Sequence, residues 1–346
     1  MAYQNVRGTR FYVSALLWLK ALGKMEGDPW GFPISGKSRE DLLDINPSTQ
    51  ATFSPNGNGS QDAFCSYGFD VNFSDIMPNK DNFFMALGHD FKDVAAWGCR
   101  TSALSDNDYV CVFMNDSFVN YHSGLASQRN GFSIGAGNDA HDVTNNRIQI
   151  YFETYDEDRT YKLGSFLYGT YYDVPHSPDL KLTMSREMDG VKKIRTKGGH
   201  DLVKHQYTKP PLWGNAAPWE LYDDDPDPGY QNFARSGRRI WSLSFSYLQD
   251  KDVFPDTSSL SNFGVEGYSS SNSGTEYSNT LLNEESFYSQ VIHKTNGGQL
   301  PFVFQPDNSN INIDGFAICK FDMNSFEFDQ VANGVYNVKC KIREVW

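Results

Sequence analysis

Residues 299–346 read QLPFVFQPDNSNINIDGFAICKFDMNSFEFDQVANGVYNVKCKIREVW, and the end of that stretch decides the fold class. Taken in steps of two, Tyr336, Val338, Cys340 and Ile342 are apolar, while Asn337, Lys339, Lys341 and Arg343 are polar. A period of two belongs to a strand with one face in a core and the other in water. Upstream, Ala317, Cys319, Phe321 and Met323 alternate with Phe316, Ile318, Lys320 and Asp322, so one face is wholly apolar and the other turns polar toward its end. This predicts a partner for the closing strand. Asn324 to Gly334 forms an irregular or hairpin connection between them, with Asn333-Gly334 as a turn. A final strand has to pair its backbone, so trimming the C-terminus is expected to damage folding.

Composition extends the same reading to the whole chain. Its 346 residues are enough for about two domains. Phe and Tyr number 25 and 19, with 29 Gly and 15 Pro, a balance that favours short strands joined by turns over helices. A formal net charge of -13 opposes attraction to nucleic acid or to anionic lipid. Cys65, Cys99, Cys111, Cys319 and Cys340 are odd in number and show no C-x-x-C spacing, which argues against a zinc module and a complete disulfide framework and for a reducing compartment. Cys319 and Cys340 fall on the inward faces of their strands. Phe11 to Leu22 follows Arg7 and Arg10 as a signal peptide would. Lys20 interrupts its short apolar run and no small-residue cleavage site follows, so a buried helix or strand is expected there. A membrane span needs about 20 apolar residues, which this run lacks.

In chain order, residues 1–35 read as an N-terminal arm broken by Pro29, Gly31 and Pro33. Residues 36–160 read as a β-sandwich, its first part polar and most loop-like at SPNGNGS, 54–60. The strands expected in it run from Tyr67 to Phe73, Phe83 to Leu87, Tyr109 to Met114 and Arg147 to Phe152. Residues 161–346 read as a second β domain. Leu180, Leu182 and Met184 mark one strand, and Trp241, Leu243, Phe245 and Tyr247 alternate with serines in another. Long polar inserts at 208–237 and 256–280 interrupt this domain. Asn283-Glu284-Glu285 opens an expected helix with Phe287, Tyr288, Val291 and Ile292 on one face, covering the β core.

Several segments together resemble a known family. NFFMALGHDF at 82–91 is similar to a strand and Gly-His turn in jelly-roll or galectin-like sandwiches of phage tails and baseplates. GTYYDVPHSPDLKL, KGGHDL, Ser236-Gly237-Arg238-Arg239, HKTNGGQLPFVFQPD, FAICKFD and VYNVKCKIREVW, over residues 165–346, resemble distal-tail or tail-tip proteins of tailed-phage virions. The resemblance implies a mainly β fold, with a tail-tube-like β barrel or sandwich under one covering helix and an N-terminal galectin-like sandwich. It implies a non-enzymatic structural protein without cofactors, made in the host cytoplasm and resident in the virion. As such it forms a homo-oligomeric, hexameric ring and contacts other tail or baseplate proteins. Exposed strand edges and polar inserts suit a head-to-tail contact that closes into a ring. The alternatives are a virion adhesin that binds host-surface glycan and, beyond that, a capsid or neck accessory protein.

Candidate chemistry is sparse. Glu153, Asp156, Glu157, Asp158, Asp223, Asp224, Asp225 and Asp227 would supply the paired carboxylates of a glycan hydrolase, yet both clusters read as solvated surface charge. Asp223, Asp225 and Asp227 are also cation candidates, although the Gly and Glu of an EF-hand loop are missing. The histidines, at 89, 122, 141, 176, 200, 205 and 293, are scattered; His200 and His205 are the nearest to a metal pair, and His89 reads as a turn residue. Ser236-Gly237 lies between arginines, where a hydroxyl lacks an obvious base, and GNGS at 57–60 follows no strand and opens no helix. Trp213, Trp219 and Tyr222 are the candidates for stacking on sugar or anchoring a protein partner.

Overall fold

A computed structural model describes residues 7–27, 29–47, 49–54, 62–78, 81–91, 94, 96–101, 109–114, 117–119, 124–129, 131–137, 146–153, 159–187, 191–205, 238–255, 280–311 and 315–345. With 49% strand against 13% helix, the protein is mainly β, as its composition predicts. The larger of its main sheets has 11 antiparallel strands. In spatial order they are Gly124–Arg129, Phe132–Gly137, Asn82–Leu87, Ser165–Asp173, Arg10–Ser14, Phe302–Gln305, Ala317–Phe321, Val335–Glu344, Arg238–Gln249 and Thr183–Glu187, with Glu327–Ala332 folded as a hairpin onto Val335–Glu344. The closing strand is buried at Tyr336, Val338, Cys340 and Ile342 and open at Lys339 and Lys341, and its partner pairs Phe321 with Ile342. Gly334, at φ +65°, makes the turn into it.

The expected N-terminal arm contributes the middle of this sheet. Arg10–Ser14 pairs with Ser165–Asp173 on one side and Phe302–Gln305 on the other, so the sheet draws on both sides of residue 160. RFYVS is apolar on both faces after its first residue, and Ser14 then ends the strand by capping a helix, its hydroxyl accepting the Leu17 N–H at 3.3 Å. Helix Ala15–Ala21 buries Leu16, Leu17, Trp18 and Leu19 directly afterwards.

Ring contacts show that the sheet is curled. Phe132 lies in a strand five places from the one that Phe316 immediately precedes, or about 24 Å in a flat sheet at the usual strand spacing. Their rings lie 4.9 Å apart. Tyr12 bridges the same concave side, 5.1 Å from Phe83 and 6.0 Å from Phe316, with its hydroxyl donating to Gln305 Oε1. On the convex side a six-stranded sheet, from Trp30–Gly31 through Asp62–Gly68, Arg147–Glu153, Ala96–Arg100 and Tyr109–Met114 to Ser117–Val119, makes the second layer. It packs through Phe84 on Trp97 at 5.8 Å and Tyr67 on Phe166 at 6.4 Å. The Tyr67 strand starts and ends earlier than its alternation predicts, at Asp62–Gly68, because Phe73 enters a 3-10 turn and packs 5.3 Å from Tyr168.

The covering helix is a short π-helical segment, Tyr288–His293, that lays Phe287 5.5 Å from Phe11. Ser286 rather than Asn283 starts it, accepting the Ser289 N–H. Two side-chain placements differ from the sequence reading. Tyr247 lies 72% exposed at φ +61°, because a bulge between Phe245 and Leu248 shifts the alternation and gives the buried place to Leu248. Leu180 and Met184 are 74% and 49% exposed, since their segment is the outermost of the sheet and nothing described covers it.

Behind the π-helical segment, Lys294 is fully enclosed, and its ammonium donates to Gln290 Oε1, which also accepts the Thr170 hydroxyl. Burial pushes this amine down to about 7 from its ordinary 10.5. Unfolded chains take up the proton first as pH falls, so stability drops from about pH 10.5 to about 7 and then levels off. Lys294→Met is therefore expected to flatten that slope and to raise neutral-pH stability by about 2 kcal/mol, read as urea midpoints at several pH values.

Candidate interaction surface

The far end of the large sheet is covered on one face only. Trp241, Leu243 and Phe245 point into the core with Cys340 and Ile342, while Ser242 pairs with Lys341 and Ser244 with Lys339 on the open face. Alternation alone produces this split: the serines take the even positions of one strand and the lysines the odd positions of the other, and the pairing puts both on one face. A shallow depression of about 300 Å³ lies on the open face, edged by Lys181, Ser242, Ser244, Met323, Lys339 and Lys341. Its lysines are partly neutralised, with Lys339 3.0 Å from Asp329 and Lys341 2.6 Å from Asp322. Bonding to Asp329 raises the Lys339 amine above its ordinary value.

Beside the depression runs the last strand, Thr183–Glu187. It pairs with Arg238–Gln249 on one side, and no described strand takes the other. Its end is fixed by Glu187, which accepts two bonds from the Arg343 guanidinium at 3.1 and 2.5 Å. An edge that no described strand pairs is a place where the backbone of another chain can add. Leu180 and Met184 add apolar area there.

A second hairpin follows. Val191–Arg195 and Asp201–His205 pair only with each other among the described strands. The turn is closed by Thr196, whose N–H donates to His200 O at 2.8 Å and whose hydroxyl accepts the His200 N–H at 3.1 Å, with Gly199 at φ +83°. Ile194, Leu202 and Val203 are 51%, 60% and 48% exposed. Half of the strongly exposed large apolar side chains among the described residues therefore lie between 180 and 203. Their concentration makes this corner the candidate contact surface.

The sequence-derived candidates fare differently. Trp213, Trp219, Tyr222, Asp223, Asp224, Asp225 and Asp227 lie outside the described residues, as do Asp156, Glu157 and Asp158. Glu153 is half-buried at the end of Arg147–Glu153. His200 sits in the hairpin turn and His205 opposite Val191 at the hairpin's other end, so the pair does not converge. Among the described residues no group of three or more His, Cys, Asp and Glu is placed to hold a metal ion. His89 makes the expected turn: Gly88 has φ +66° and His89 Nδ1 accepts the Phe91 N–H at 3.2 Å. Burial lowers that imidazole to about 3, so it stays neutral. Cys65, Cys319 and Cys340 are buried free thiols, and Cys99 is buried as well.

The turn and the strand after it are legible at KGGHDL, whereas the first strand of the hairpin, Val191–Arg195, was missed. The signal was the run VKKIRTKGGH at 191–200, a basic stretch in an acidic chain folded about a Gly-Gly turn. No helix among the described residues is long and apolar enough to cross a membrane. Comparison with known protein families, curated proteins and solved structures finds no match.

Proposed function

We propose that this chain is a non-enzymatic structural subunit that assembles by extending its sheet across subunit contacts. The observation that carries this reading is the outer edge of Thr183–Glu187, which no described strand pairs, with the exposed Leu180 and Met184 beside it. A strand edge long enough to pair, without cover, stabilises an assembly and is a liability in a monomer. One edge of a curled sheet meeting a different surface on the next copy gives a heterologous contact, and such contacts close into rings when the rotation allows.

The setting we propose for the ring is the virion of a tailed bacteriophage, as a distal-tail or tail-tip component joining tail tube to baseplate or fibres. The resemblance of residues 165–346 to that family supports this setting, and the family's rings are hexameric. Electron microscopy and mass measurement on the purified full chain test it. Rings of one fixed subunit number are the expected result, and a monomer at every concentration tested contradicts it.

A further inference from the structure

The hairpin 191–205 is built unlike the rest of the molecule. Lys192, Lys193, Arg195, Lys197 and Lys204 lie in it against a single acid, Asp201. That is five of the chain's 30 basic residues and one of its 43 acidic ones, so the hairpin carries +4 and the remaining chain -17. A neutral average would not segregate charge in this way, and the two parts attract each other.

Its two faces are unequal. Residues directly opposite in an antiparallel pair share a face, so Lys192, Lys204, Ile194 and Leu202 stand together on one side. Lys193, Val203, Arg195 and Asp201 stand on the other, where Lys193 and Asp201 pair at 2.6 Å. On the first face Lys192 is directly opposite Lys204, and neither is within ion-pair distance of a described carboxylate. Like charges opposed across a strand pair destabilise it. Ile194 opposite Leu202 leaves two aliphatic side chains in water beside them. A two-stranded hairpin packed on no described element is marginal in water without further cover. Both costs are removed by a partner that brings carboxylates to the lysines and apolar cover to the aliphatic pair.

We propose that the Lys192, Ile194, Leu202 and Lys204 face of the hairpin docks on the acidic surface of a second copy of this chain. The inference rests on the assembly reading above and names the arm that it uses. A second copy has the needed charge, because everything outside the hairpin sums to -17. Aliphatic cover has no function against a phosphate backbone, whereas protein interfaces bury such pairs in their centre. The hairpin leaves the sheet three residues after the open strand Thr183–Glu187, so one neighbour reaches both.

The test uses the full chain, with Lys192→Glu/Lys204→Glu as one variant and Ile194→Ser/Leu202→Ser as another. Circular dichroism checks that each keeps the wild-type fold, as a hairpin that packs on no described element allows. Sedimentation velocity is run from about 0.05 to about 0.5 M NaCl, where screening removes exposed charge attraction. The wild type is expected to assemble, less at high salt, and each variant to lose at least about tenfold in association constant. Variants that assemble like the wild type overturn the hairpin proposal and leave the assembly reading standing. A wild type that never assembles overturns both. Nucleic acid that copurifies with the wild type and is lost with the charge-reversed variant overturns the choice of partner.

Discussion

Replacing Gly169 with alanine is expected to cost about 3 to 5 kcal/mol, the upper range for one added methyl. Gly169 sits opposite Ser14, where the central strand Arg10–Ser14 becomes the helix Ala15–Ala21. A Cβ there lies 2.1 Å from Val13 O, 2.7 Å from Ala15 N and 3.1 Å from Ser14 Cα. All three are backbone atoms of the central strand and of the first residue of the helix that follows it, so no rotamer change gives relief. The chain must lift its central strand or abandon the helix start. Gly198→Ala is the control: its Cβ meets nothing nearer than His200 Cδ2 at 3.9 Å, and a change within about 0.5 kcal/mol is expected. Urea unfolding of both variants reads the difference as a shift in midpoint at constant m-value.

Glu344→Ala should be nearly as severe, although it lies two residues from the end of the chain. Its carboxylate is 3% exposed, against 12% for the guanidinium of Arg239. Oε2 accepts the Arg239 backbone N–H at 2.8 Å and Nε at 3.2 Å, and Oε1 accepts Nη2 at 3.1 Å. That same Nη2 donates to Phe316 O at 2.8 Å, the carbonyl beside the ring that closes the concave core. Removing the carboxylate leaves a guanidinium buried without its counter-charge, at a cost of about 3 to 5 kcal/mol. Arg239→Met combined with Glu344→Met removes both charges and is expected to cost far less than Glu344→Ala alone, an inequality that a double-mutant cycle measures. A fraying terminus would leave all of these variants equal to wild type.

Much of this fold was legible because alternation and burial coincide in its C-terminal half. Tyr336, Val338, Cys340 and Ile342 are buried as their period of two requires, and so are Trp241, Leu243 and Phe245. Legibility ended where the backbone departs from a regular strand. Nothing in the run of apolar residues through Phe245 and Tyr247 announces the bulge that turns Tyr247 outward. Arg10–Ser14 was hidden for a different reason: a strand buried on both faces has no alternation to read, and it merges with the helix behind it. Its partners, Ser165–Asp173 and Phe302–Gln305, are separated from it by nearly half and by most of the chain, distances over which local pattern carries no pairing information.

The candidate surface was half legible. Serine-lysine alternation on Arg238–Gln249 and Val335–Glu344 foretold an open polar face. That Thr183–Glu187 would be the last strand is a property of the sheet order, to which Leu180 and Met184 give a misleading clue by reading as core.

Hydrogen–deuterium exchange across Thr183–Glu187, followed as the full chain is concentrated, tests the proposed assembly most directly. Pairing of the outer edge with a neighbouring copy predicts that its amides become slow to exchange in step with the rise in mass. Exchange that stays fast while larger species form contradicts it.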